Sequence, residues 1–106
     1  MFNVLHLDRQ VHRRNAMTLR IVKRPDGART VFKLSGRMRS GDIEGLRKQM
    51  DGHTGGITLD LEEVTLVDVE VVRFLGICEA KGVELVHCSP YIREWICREQ
   101  AADDEN

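Results

Sequence analysis

The sequence first lacks an excess of either charge. Its 16 basic and 17 acidic side chains leave a net charge of −1, so it has none of the positive field that nucleic-acid binding draws on. No apolar run approaches the about 20 residues of a membrane span. Asp8 and Arg9 interrupt the N-terminus before a signal-peptide core can form, so no such leader is expected. The three cysteines, Cys78, Cys88 and Cys97, are odd in number and form no C-x-x-C pair. That argues against both a disulfide framework and a zinc site. Together these absences predict a cytoplasmic protein with reduced thiols, no membrane insertion, no cofactor and no bound metal.

The 106 residues, 42% hydrophobic and 31% charged, suffice for one domain with one core. Residues 1–16 lack a period and read as an extension, either mobile or docked through Phe2, Val4, Leu5 and Leu7. The regular domain spans 17–100, and 101–106 reads as a frayed acidic tail. "TLRIV" and "TVFKL" alternate as half-buried strands do. Between them, Pro25-Asp26-Gly27 presets a tight hairpin turn, and Ser35-Gly36 marks the second strand's end. Ile43, Leu46 and Met50 then share one helical face with Ser40 or Asp42 as cap. "ITLDLEEVTLV" has the apolar density of a central strand covered on both faces. After Asp68 the period becomes helical, with Val71, Phe74, Leu75 and Cys78 inward, and Gly82 suits the left-handed residue past the helix end. A short strand, Val83 to His87, leads to a last helix with Ser89 as cap, Pro90 in its first turn and Ile92, Trp95 and Ile96 inward. The prediction is an α/β fold: a mixed four-stranded sheet with an N-terminal β-hairpin, in the order β-β-α-β-α-β-α.

Chemistry-bearing patterns are scarce. Asp68 precedes Val69-Glu70-Val71, with no nucleophile, glycine or hydroxyl. Its carboxylate is placed to accept the Glu70 or Val71 N–H and to favour the helix dipole. Glu70 reads as solvated helix face. Cys88 lies before a helix start, where a dipole can lower a thiol pKa, but a small buried hydrophobe is the plainer role for it and for Cys78. His6, His12, His53 and His87 show no ligand spacing. "DGHTGG" lacks the lysine and hydroxyl of a phosphate loop. Tyr91 and Arg93 have the composition of an interface if they point outward.

The pieces "FKLSGRM", "ITLDLEEVTLVDVEVVRFL" and "GVELVHCSPYIREWI" together resemble the STAS domain of bacterial anti-sigma factor antagonists, over Met17 to Arg98. In the phosphorylation-regulated members, the acid after the apolar strand is followed by two serines and a glycine. A partner kinase, itself an anti-sigma factor, phosphorylates the first serine. Asp68 matches the acid, but Val69 falls on the phosphorylated serine, Glu70 on the second and Val71 on the glycine. Only Asp68 transfers, so the resemblance implies a non-phosphorylatable relative. The family's further strand and helix find little chain after "SPYIREWI", which implies a C-terminally truncated version with Val83 to His87 at an open sheet edge.

The expected function is therefore a non-enzymatic protein-binding module that docks a regulatory partner through Asp68, Val69, Glu70 and Val71. By resemblance, that partner is an anti-sigma or serine-kinase-type regulator. The alternative within the family is a cytoplasmic accessory subunit of a lipid-trafficking ATP-binding-cassette transporter, contacting its ATPase subunit. A structural homo-oligomer or homodimer formed through the open edge is the alternative of another class.

Overall fold

The computed structural model describes residues 19–53 and 55–104. The extension 1–16 lies outside the described residues. Strands β1 (Arg20–Asp26) and β2 (Arg29–Met38) form the expected antiparallel hairpin, with Asp26 opposite Arg29. Gly27 takes φ +64° at the turn, a backbone that glycine adopts without a Cβ penalty. Pro25 lacks an N–H for a second partner, which β1 tolerates as an edge strand.

Gly36 does not end the second strand. It takes φ +96° between register shifts in the pairing with the next strand, and β2 continues to Met38. Glycine here allows a bulge in place of a stop. Met38, beyond the bulge, is 1% exposed.

Helix α1 (Ser40–Asp51) buries Leu46 and Met50 as its spacing predicts. Strand β3 (Gly56–Val67) then runs parallel to β2, and helix α2 (Val69–Ala80) leads to β4 (Glu84–Val86), parallel to β3. Helix α2 ends as Gly82 predicts: at φ +101°, Gly82 donates to Glu79 O and Val83 to Cys78 O, both at 3.0 Å. This is the paired Schellman closure. Helix α3 (Pro90–Asp104) begins at the expected Ser89-Pro90 signal and extends past Gln100, where the tail was placed.

The sheet order is β1-β2-β3-β4, an α/β fold in the predicted element order. One feature departs from expectation: among the described residues, helices cover the central strand on one face only. Phe32, Leu34, Leu59 and Leu61, all on one side of the sheet, join Leu46, Val71, Leu75, Ile92 and Ile96 in a single core cluster. The other side carries Val22, Lys33, Ser35, Thr58, Asp60 and Glu84 in register. Two successive right-handed crossovers that advance in one direction, β2 to β3 to β4, place α1 and α2 on the same side. Thr58, 6% exposed, is satisfied on this other side by Arg29 Nε at 3.0 Å and by donating to Glu84 at 3.3 Å.

Helix α2 buries more than its predicted stripe. Val72 and Gly76 are buried in addition, because α3 packs against that flank. Gln100 donates to the Gly76 carbonyl at 3.3 Å, and Arg93 holds Glu79 with two bonds of 2.8 and 3.1 Å. Trp95 is only half-buried, against the core margin, with its ring 6.5 Å from that of Tyr91.

Candidate functional site

The carboxyl ends of β2 and β3 meet at Met38 opposite Val67, and both following helices start there. Asp68 leaves β3 with extended backbone, so its side chain sits beside the first turn of α2. One oxygen accepts the Val71 N–H at 3.0 Å, the expected cap. The other accepts the Ser40 N–H at 2.9 Å, 28 residues away in sequence. A single carboxylate thus ties both helix starts together at the positive ends of their dipoles.

That second bond explains a difference at α1. Neither Ser40 nor Asp42 is the cap; the cap position is Arg39, which has no acceptor to offer. Asp42 instead reaches back to the Arg39 N–H at 2.8 Å, which is half of a capping box. Asp68 supplies the acceptor that Arg39 cannot. With both oxygens engaged by backbone donors, Asp68 is a fixed structural acceptor.

Around it, Val69 is half-buried and Glu70 exposed. Val71 is fully buried, so of the four residues expected at the interface it offers no surface. Its contribution is to the core. Arg73 approaches Glu70 at 3.6 Å. On the other flank, a hollow of about 280 Å³ lies among Arg37, Met38, Arg39, Leu66, Val67 and Asp68, with Leu66 47% exposed. Glu70 also borders a groove of about 310 Å³ between α1 and α2, which exposes Ile77.

The remaining candidates are scattered. Ser89 accepts the Ile92 N–H at 3.3 Å and so caps α3. Burial pushes the half-buried Cys88 thiol upward in pKa, against the pull of Arg93. Cys78 is buried and pushed to about 11 by desolvation. Cys97 is exposed, and Tyr91 is exposed as the interface reading requires. His53 packs edge-on to Phe32 at 5.4 Å. His87 lies 3.1 Å from Asp60 across the β3–β4 pair, a contact that the linear spacing of the histidines does not reveal. Burial alone would raise the Asp60 carboxyl, but the Glu62 N–H and His87 outweigh it and hold the pKa below the ordinary value.

No family model matches this chain, and no curated protein matches it. Among the described residues, no helix is long and apolar enough to cross a membrane.

Proposed function

We propose that this chain is a protein-binding module whose docking surface is the shared start of α1 and α2, made of Asp68, Val69 and Glu70 with Leu66 and Arg39 at its margin. The observation that carries the reading is the double engagement of Asp68, which holds two helix N-termini rigidly side by side. Rigid surface at the carboxyl end of parallel strands is a favoured binding location in α/β sheets. The exposed Leu66 and half-buried Val69 supply apolar contact within a rim of charge, the usual anatomy of an interface. The STAS-like pattern of the sequence supports an anti-sigma or serine-kinase-type regulator as the partner. Val69 at the switch position supports binding without phosphoryl control.

Affinity capture from the native cell, wild type against Val69→Lys and Glu70→Ala, tests this. A regulator of that class that is retained by wild type and lost with Val69→Lys is the expected result. Equal recovery by both proteins would remove the surface. Capture of an ATPase subunit of a lipid transporter by the same surface would favour the accessory-subunit reading.

A further inference from the structure

The side of the sheet opposite the described helices holds a second constellation, unrelated to the helix starts. Asp60 and Glu62 lie two residues apart on β3, and His87 directly follows β4, whose register sets Val86 opposite Asp60. One potential ligand atom from each of Asp60, Glu62 and His87 lies within 4.8 Å of the others. Two strands and the turn after one of them thus bring one imidazole and two carboxylates within 4.8 Å of one another. We propose that Asp60, Glu62 and His87 form a binding site for one divalent transition-metal ion of borderline softness, of which zinc is the type.

The donor set matches that class. Imidazole with carboxylate suits zinc, cobalt and nickel, and three protein ligands leave one position for water. Bonds of 2.0–2.2 Å in a tetrahedral site put neighbouring ligand atoms about 3.4 Å apart. Asp60 Oδ1 and His87 Nδ1 stand 3.1 Å apart, so the ion needs little movement to replace the hydrogen between them. When Nδ1 becomes a ligand the ring carries its proton on Nε2, so a neutral imidazole changes tautomer through solvent and an imidazolium releases one proton. Glu62 is exposed and reaches the third position by a rotamer change.

An outer contact already orients one ligand. Asp60 Oδ1 accepts the Glu62 N–H at 3.0 Å, which fixes the carboxylate plane as outer hydrogen bonds do in metal sites. Lys33, the cation opposite Asp60 on β2, is engaged by Glu63 at 3.4 Å. Asp60 is shielded, with its side chain 14% exposed, whereas His87 is 60% exposed. The site therefore faces solvent with its histidine outward and binds an exchangeable ion.

Calorimetric titration of the full chain with zinc chloride tests the site, with His87→Ala and Glu62→Gln as ligand variants and His53→Ala as control. Both ligand positions are exposed, and circular dichroism of each variant verifies the fold. One equivalent bound, at least tenfold more weakly by each ligand variant and equally by His53→Ala, is the expected result. Cobalt in place of zinc is expected to give visible ligand-field bands without an intense thiolate-to-metal band. The absence of saturable binding at millimolar zinc would overturn the proposal. So would unchanged affinity in either ligand variant, or a thiolate band placing the ion on cysteine.

Discussion

The two carboxylate oxygens of Asp68 serve different helices, so its removal is felt in both. An N-cap acceptor contributes about 1 kcal/mol, and a charge-assisted hydrogen bond to a second backbone donor adds about as much. Asp68→Ala is therefore expected to destabilise the fold by about 2 kcal/mol in urea denaturation. Asp68→Asn keeps one acceptor oxygen and is expected to lose about half of that. Ser89→Ala, which removes the single 3.3 Å cap of α3, sets the scale at about 1 kcal/mol or less. If Asp68→Ala costs no more than Ser89→Ala, the bond to Ser40 contributes nothing. The cap on Val71 was legible from an acid placed before a helical period. The bond to Ser40 was not, because no local pattern announces which strand ends lie side by side. Arg39 at the cap of α1 was the one hint: a cap position without an acceptor must borrow one.

Among the elements, local chemistry was readable wherever both partners lie within a few residues. The Gly82 closure and the inward stripe of α1 appear where their spacing places them, and the hairpin turns at Gly27, though Pro25 and Asp26 pair within β1 instead of lying in the turn. Gly36 was misread because a glycine after a serine signals a strand end and a bulge equally well. Only the register with β3 distinguishes them, and register is a tertiary property. The two kinds of glycine make opposite predictions. Gly36 holds φ +96°, where a side chain costs about 1–2 kcal/mol, so Gly36→Ala is expected to lower the urea midpoint by that equivalent. Gly45 lies inside α1, and a Cβ there meets nothing within 4 Å. Gly45→Ala is expected to stabilise by up to about 1 kcal/mol through helix propensity and a less flexible unfolded chain. Two destabilising results would mean that α1 is closer-packed at Gly45 than its open surroundings allow.

For the molecule as a whole, strand order decides more than composition does. The apolar run of β3 looks the same whether helices cover one face or two. The sense of the β2–α1–β3 and β3–α2–β4 crossovers then commits both helices to one side. The other side is held by polar rungs: Arg29, Thr58 and Glu84 across three strands, and Lys33 with Ser35 on Glu63. These also explain how Asp60 and His87 meet on the side opposite the described helices. Lys33 has a further consequence for association. It sits opposite Val22, which is 48% exposed, and two residues from Val31 on the same side of β2. Its charge stands beside the exposed Val22, a device by which natural sheets resist face and edge pairing. Lys33→Val sets a second apolar side chain beside the exposed Val22 and leaves Glu63 without its cation. The variant is expected to self-associate at a protein concentration at least tenfold lower than wild type in sedimentation velocity, with its far-ultraviolet circular dichroism unchanged. Lys33→Gln removes the charge without adding apolar surface, so it separates the two causes. If Lys33→Gln associates as strongly as Lys33→Val, lost repulsion drives the effect. If neither associates, the rungs around Arg29 and Thr58 keep this side of the sheet apart without Lys33.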